Sequence, residues 1–466
     1  MKKIFERILI VALISVLVGV LGCKPTTKQT EKASFKAIEL FPEPIRPEGQ
    51  SDVIELKSEP IDTVRIAIIG LGMRGSQAVY RYSFIEGVKI VAICDVVSKN
   101  VESAQKFMQE SGLPDADAYT DSTDWKKICE RDDIDLIYVC THWDLHTPIA
   151  VYAMEHGKHV ALEVPAAITI EECWQLVNTS EKTRKHCMQL ENCNYDFFEM
   201  ATLNMAQHGL FGEIVHCEGA YIHDLRWLNF DEKSGYWNMW RLKHNEKRNG
   251  NLYPTHGLGP ICHIMNIHRG DKMDYLVSVS SNQFGMTEYA KEKFGSESDY
   301  AKMEYKHGDM NTTLVKTQKG KTIMIQHNVT NPRPYSRIHL ISGTKGFAQK
   351  WPQQGIALEP NGHSFLSKTQ LDSLLKVYEH PISKEVGEKA KKVGGHGGMD
   401  FVMDYRLIYC LRNGLPLDQD VYDAAEWSAI IELSERSVEN QGMPVKIPDF
   451  TRGAWEKLKT VTYYTK

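Results

Sequence analysis

Val64-Arg65-Ile66-Ala67-Ile68-Ile69 runs straight into Gly70-Leu71-Gly72-Met73-Arg74-Gly75 and then into Ser76-Gln77-Ala78-Val79-Tyr80. A β-branched run, a glycine loop and a helix-compatible stretch, in that order, predict a strand, a tight turn and a helix. The first glycine permits the turn, the second lets the backbone approach a diphosphate, and the third lets helix and strand pack closely. A second apolar run, Val88-Lys89-Ile90-Val91-Ala92-Ile93-Cys94, ends at Asp95, about 25 positions past Gly70, where a carboxylate binds the hydroxyls of a ribose. A glycine triplet alone is weak evidence. The strand before it, the helix after it and the acid closing the next strand make it specific. The expectation is a dinucleotide site on Gly70, Gly72, Gly75 and Asp95, with NAD favoured over NADP because Asp95 repels a 2′-phosphate. Arg74 is the one nearby group able to reach such a phosphate.

The alternation continues outward from this unit. Helical patterns at Val101 to Ser111, Trp125 to Arg131, Pro148 to Gly157 and Ile170 to Lys185 interleave with strand patterns at Ile134 to Cys140 and His159 to Leu162. That is the pattern of a doubly wound parallel sheet, whose ligands bind beyond the carboxyl ends of the strands. Two strand ends therefore matter, Thr141-His142-Trp143-Asp144-Leu145-His146 and Glu163-Val164-Pro165. After about His186 the regular helices stop. Strand patterns at Ile214 to Ile222, Tyr275 to Ser281, Thr312 to Thr317, Thr322 to Val329 and Ile338 to Ser342 suggest a mostly antiparallel sheet. Gly397 to Asn413 and Tyr422 to Asn440 are helical in pattern and are expected to pack back on the body. The predicted fold is α/β: a Rossmann-type parallel-sheet domain over residues 61–186, then an α+β domain over 187–466 with an open, mostly antiparallel sheet and C-terminal helices.

The chain of 466 residues is roughly three times a typical domain, so two domains rather than one are expected, and its 42% hydrophobic and 25% charged residues exclude a disordered or fibrous protein. A formal charge of -5 leaves no basic excess for a nucleic-acid backbone. Lys2, Lys3 and Arg7 precede an apolar run from Ile8 to Leu21, too short for a comfortable membrane span. It ends Val20-Leu21-Gly22-Cys23, which resembles the lipobox of bacterial lipoproteins, where the cysteine is acylated. Residues 1–22 are accordingly expected to be a signal peptide, Cys23 the lipid anchor, and 23–60, studded with Pro42, Pro44, Pro47 and Pro60, a tether. The expected location is the bacterial cell envelope. Of ten cysteines, setting Cys23 aside leaves an odd number with no C-x-x-C pair, so neither a disulfide framework nor a zinc site is expected.

Six motifs together resemble the glycoside hydrolase family 109, the NAD-dependent α-N-acetylgalactosaminidases, within the glucose-fructose oxidoreductase and inositol dehydrogenase superfamily. They are the loop at Gly70 to Gly75, Trp143-Asp144-Leu145-His146, Glu163-Val164-Pro165, Glu191-Asn192-Cys193-Asn194-Tyr195, Tyr253-Pro254-Thr255-His256-Gly257 and Gly394-Gly395-His396-Gly397-Gly398-Met399-Asp400. The resemblance covers nearly all of Ile61 to Lys466. It implies NAD contacts at Met73, Arg74, Asp95, Trp143, Asp144, Leu145, His146, Glu163, Val164 and Asn192. It implies sugar contacts at Tyr221, Arg241, Tyr253, Pro254, Thr255, His256 and Tyr335, with His256 the main proton-transfer residue and Tyr253 beside it. The dehydrogenases of the superfamily usually carry Glu-Lys-Pro at the strand end, and Val164 cannot do that lysine's work.

Three functions remain open at this point. The first is a glycosidase acting on terminal α-N-acetylgalactosaminides through oxidation, elimination, addition and reduction, with NAD recycled in place. The second is a sugar dehydrogenase or sugar-sugar oxidoreductase. The third is a non-catalytic sugar-binding lipoprotein. An envelope address favours the first, because no soluble pool there reoxidises NADH. His263 and His268 are expected to be structural, on a helix behind the His256 loop, since their spacing matches no metal signature. The partners expected are a glycan with a terminal N-acetylgalactosamine and the membrane, without nucleic acid; the sequence leaves a homo-oligomer undecided.

Overall fold

The structure, a computed structural model, describes residues 36–465 apart from residue 234. The signal segment, Cys23 and the start of the tether lie outside the described residues. From Ala37 onward these form one compact unit. Its first sheet has strands β1 (Val64–Ile69), β2 (Val88–Cys94), β3 (Asp117–Tyr119), β4 (Leu136–Val139), β5 (His159–Leu162) and β6 (Cys187–Gln189). Their order is β3-β2-β1-β4-β5-β6 and every pairing is parallel. The helices between them are α1 (Met73–Tyr82), α2 (Ser98–Glu110), α3 (Asp124–Cys129), α4 (Trp143–Glu155) and α5 (Ile170–Thr183). Val64, Ile66, Ala67 and Ile68 of β1 are all fully buried, because helices cover both faces, and this is why the strand lacks in-out alternation. The order reverses between β1 and β4, and a crevice opens there at the carboxyl ends of the strands. The expected boundary at 186 falls too early. β6 belongs to the parallel sheet, where Cys187 to Gln189 pair with β5.

The second sheet has eight strands: β7 (Ile214–Ile222), β8 (Met273–Ser280), β9 (Asn311–Thr317), β10 (Thr322–Asn328), β11 (Leu340–Gly343), β12 (Gly346–Gln349), β13 (Gly355–Leu358) and β14 (Val445–Lys446). Their order is β13-β12-β11-β7-β10-β9-β8-β14, antiparallel except where β10 meets β7. Helices α6 (Phe197–Gln207), α7 (Arg226–Asn229), α8 (Trp240–Lys247) and α9 (Thr255–Met265) join the two sheets or lie on the second. Further helices are α10 (Gly285–Phe294), α11 (Asp299–Lys302), α12 (Lys368–Val377), α13 (Pro381–Val393), α14 (Met399–Asn413) and α15 (Val421–Glu439).

The late helices return to the first sheet. Phe401, Val402 and Leu407 of α14 share an apolar core with Val64, Ile66 and Ala78, and α15 packs on α5 and β8. This return brings the glycine-rich turn before α14 against the start of α1. Residues 37–60 do not behave as a free tether. Val53 is 2% exposed and donates its N–H to Tyr422 Oη at 3.0 Å, and Arg46 pairs with buried Glu181 at 2.9 Å. The prolines forbid regular structure there, but Val53 and Leu56 still have apolar side chains to bury. Among the described residues no helix is long and apolar enough to cross a membrane, and the nine described cysteines are free thiols.

Candidate active site

The loop after β1 turns at Gly70 with φ +91°, and a Cβ there would sit 2.6 Å from the Cys140 carbonyl group at the end of β4. A Cβ on Gly75 would fall 1.8 Å from the Gly70 carbonyl oxygen, so α1 packs directly on the turn. Gly72 differs: a Cβ there would meet no protein atom within 4 Å. The open space at Gly72 lies at the N-cap of α1, whose first turn has no acidic side chain. Unpaired N–H groups and the helix dipole make such a place fit for a diphosphate. Asp95 braces the loop, accepting the Leu71 N–H at 2.6 Å and the Val97 N–H at 2.7 Å, and it faces the same cavity. The residues present thus fit a bound dinucleotide.

The cavity measures about 560 Å³ and runs from this loop to the face of the second sheet. Gly70, Gly72, Met73, Arg74, Asp95, Trp143, Leu145, His146, Glu163, Val164 and Asn192 line it, as do Tyr221, Arg241, Tyr253 and His256. Gly75, Asp144, Pro254, Thr255 and Tyr335 are not on its wall. Gly75 is packed beneath Gly70; Asp144 lies within 3.3 Å of His142 and 3.4 Å of His244; Pro254 and Thr255 begin α9, which sets the direction of His256. Tyr335 stands beside the wall, its ring 5.0 Å from His223 and 6.4 Å from Tyr221. His146 is 1% exposed and its ring nitrogens sit 2.7 Å from the Pro165 carbonyl and 3.0 Å from that of Thr141, so it also ties two strand ends together. His263 lies in α9, but His268 lies past its end, with φ +64°.

Arg74 does not stand free for a 2′-phosphate. Its Nε donates to Glu163 at 2.8 Å and its Nη1 to Asp400 at 2.8 Å. Although burial opposes ionisation, Arg74, His396 and Arg81 hold the Asp400 carboxyl well below the usual range. Asp400 also accepts from His396 Nδ1 at 2.9 Å and from the Asn192 amide. His396 sits in a run of five residues with positive φ, Gly394 to Gly398, and is itself at +45°. Such a conformation in a non-glycine residue is strained and marks functional positions. Its side chain is 53% exposed and faces the cavity.

On the other wall, Arg241 Nη1 donates to Tyr236 Oη at 2.6 Å. Its guanidinium lies 4.5 Å from the Tyr253 ring and 5.0 Å from the Trp143 ring. Burial pushes the Tyr221 and Tyr253 phenols upward, so both remain neutral donors for sugar oxygens. His256 Nδ1 lies 2.8 and 3.0 Å from the two oxygens of Glu191. Glu191 is fully buried; burial would raise its carboxyl, yet His256 holds it below the usual range. The Cys193 thiol, pushed well up by burial, joins Glu191 and His256 in a group of ligand-type atoms within 4.8 Å of one another. Sequence spacing gave no sign of that group.

Two histidine–carboxylate pairs, His256–Glu191 and His396–Asp400, thus belong to one cavity. Neither carboxylate nor His396 was assigned a role from sequence, although all three lie in motifs that were singled out, Glu191-Asn192-Cys193 and Gly394 to Asp400.

A glycine loop at the switch point of a parallel sheet, opening on a wall of neutral hydrogen-bond donors and histidines, defines a dinucleotide-dependent enzyme of oxidoreductase fold. The model of an oxidoreductase family with an NAD-binding Rossmann fold matches residues 64–190, and that of the glycosyl hydrolase 109 C-terminal domain matches residues 195–457. An alpha-N-acetylgalactosaminidase of Bacteroides fragilis is 59% identical over 88% of this chain and 97% of its own. A glycosyl hydrolase family 109 protein of Bacteroides thetaiotaomicron is 51% identical over 96% of this chain and 97% of its own. Among solved structures, an aldose-aldose oxidoreductase of Caulobacter crescentus shares the fold, with TM-score 0.59 and 16% identity over 82% of this chain and 99% of its own. The chain belongs to glycosyl hydrolase family 109.

Proposed function

We propose that this protein hydrolyses terminal α-N-acetylgalactosaminides with NAD held as a recycled cofactor. The observation that carries the reading is the pairing of a dinucleotide loop with two histidines on one cavity, each backed by a buried carboxylate behind the wall. Ordinary glycosidases use two carboxyl groups facing each other across the scissile bond. Among the described residues, the carboxylates on this wall are Asp95, Asp121 and Glu163; Asp95 is engaged by backbone N–H groups and Glu163 by Arg74. The 59% identity to an alpha-N-acetylgalactosaminidase supports the choice of sugar.

The glycine loop, Asp95, Trp143, Glu163 and Asn192 would hold the dinucleotide. Bound NAD+ would supply a reversible acceptor for the hydride at C3 of the sugar, with the C3 hydroxyl proton passing to water in the open cavity and returning when the hydride does. A C3 ketone acidifies the C2 proton, and His256, its Nδ1 anchored on Glu191, takes that proton as the C1–O bond breaks. His396, anchored on Asp400, stands at the cavity edge, suited to give a proton to the departing oxygen. Water then adds at C1 and gives its proton to His396, His256 returns the proton to C2, and sugar and cofactor would end at their starting oxidation levels. Tyr221, Tyr253 and Arg241 fix the ring by neutral and charged hydrogen bonds. Val164, in place of the superfamily's lysine, counts against a simple dehydrogenase.

Hydrolysis of an α-N-acetylgalactosaminide in heavy water tests this directly. Deuterium at C2 of the released sugar is expected, and a substrate methylated on the C3 oxygen should not be cleaved. Normal cleavage with protium retained at C2 refutes the route.

The reading extends to location: a lipid on Cys23 tethers the enzyme to the bacterial envelope. Its support is the basic start, the apolar run and Leu21-Gly22-Cys23. Replacing Cys23 should release the protein from the membrane fraction in the producing cell, and unchanged fractionation refutes the anchor.

A further inference from the structure

We propose that Trp237 is the platform on which the second sugar of the substrate, the ring attached through C1 oxygen of the terminal residue, stacks. This rests on the glycosidase reading above and adds a subsite to it.

Exposure divides the cavity wall into floor and rim. Tyr221, Tyr253 and Arg241, which surround the sugar position, are 8, 9 and 5% exposed, whereas Trp237 is 49% exposed and still on the wall. Trp237 belongs to the sugar half of that rim. Its neighbour Tyr236 accepts the hydrogen bond of Arg241 at 2.6 Å, and Trp240, three positions on, packs its ring 5.0 Å from Trp143. Among the exposed polar groups on the rim, His396 is the one backed by a buried carboxylate and suited to meet the departing oxygen. A terminal sugar on the buried floor must send its C1 substituent outward, past that rim.

The backbone favours the same placement. Asn238 and Met239, directly after Trp237, both take left-handed conformations, φ +55° and +49°. Asn238 adopts this region readily, but Met239 does so at a backbone cost, which fixes the turn that carries Trp237. A half-bare indole in solvent gains by being covered. A flat indole face is the right partner for the apolar face of a pyranose ring, because it offers area at little entropic cost, with only two side-chain torsions to fix.

The test compares Trp237→Ala and Trp237→Phe with the parent enzyme on two substrates: methyl α-N-acetylgalactosaminide, and a disaccharide with N-acetylgalactosamine α-linked to galactose. Retained NAD is measured on each preparation. For Trp237→Ala, kcat/KM on the disaccharide should fall on the order of tenfold, mostly through KM. On the methyl glycoside it should stay within about twofold, and NAD should be retained. Trp237→Phe should recover part of the loss. Equal losses on both substrates, an unchanged disaccharide, or loss of NAD from Trp237→Ala would each overturn the subsite. A parent enzyme that cleaves neither glycoside overturns the glycosidase reading itself, a result separable from the others.

Discussion

Replacing Glu191 with glutamine isolates the charge behind His256. Glu191 is fully buried, accepts from His256 Nδ1 at 2.8 and 3.0 Å and accepts the Cys193 N–H at 3.0 Å. Glutamine keeps the size and one acceptor oxygen and removes the charge. In the step that takes the C2 proton, His256 becomes an imidazolium, and the carboxylate stabilises that form through a charge-assisted bond. Such bonds are worth about 1.5 to 3 kcal/mol, so kcat should fall roughly ten- to 150-fold. KM and NAD retention should stay as they are, because neither the sugar floor nor the glycine loop is touched. His256→Ala should cost more, about 10² to 10⁴. Since the carboxylate acts through the imidazole, the double variant should be no slower than His256→Ala alone. The assay is nitrophenol release from 4-nitrophenyl α-N-acetylgalactosaminide, with bound NAD measured on the same preparations. A Glu191→Gln enzyme within threefold of the parent, or losses that multiply in the double variant, would refute the coupling.

The glycine loop separates a folding effect from a cofactor effect. Gly72→Ala should leave the thermal midpoint of NAD-free protein unchanged, since the new carbon meets no protein atom within 4 Å and φ is an ordinary -65°, yet NAD should no longer be retained. Gly75→Ala places a carbon 1.8 Å from the Gly70 oxygen and should destabilise the fold by about 1 to 3 kcal/mol or more; the opposite ranking in a melting experiment refutes the geometry. Glu199 offers a pH test: burial, and then Asp196 beside it, push its carboxyl up to about 7 against the pull of Lys350 and Arg337. A raised carboxyl contributes stability below its unfolded value and loses it as pH rises through 7, so the stability of the parent relative to Glu199→Gln should fall by roughly 1 to 3 kcal/mol between pH 5 and 8. A constant difference in urea unfolding across that range refutes it.

Local sequence decided the first domain. The order strand, Gly70 to Gly75, helix, with Asp95 closing the next strand, is a signal carried by neighbours in the chain, and the structure places Gly70, Gly72, Met73, Arg74 and Asp95 on the cavity. The long strands β7 to β10 were also legible, because several alternating residues on one element announce a half-buried face. The shortest strands were not: β3, β6 and β14 have three, three and two residues, too few for a period to show. Residues 37–60 carried the composition of a linker, and only the apolar surface and charges they meet, Tyr422 and Glu181 among them, made them part of the body.

The chemistry of individual side chains was set by partners far along the chain. The proton-carrier role proposed for His256 was suggested by its own type and its turn, but the carboxylate beside it is 65 positions away in the chain. Arg74 looked available to a phosphate until the fold brought Asp400, 326 positions later, to its guanidinium. The sequence by itself determined which backbone can cradle a diphosphate, because that depends on side chains being absent at three closely spaced positions, Gly70, Gly72 and Gly75. Only the tertiary structure decided which charges are spent on one another, because pairing energies fall with distance in space and take no account of separation in the chain.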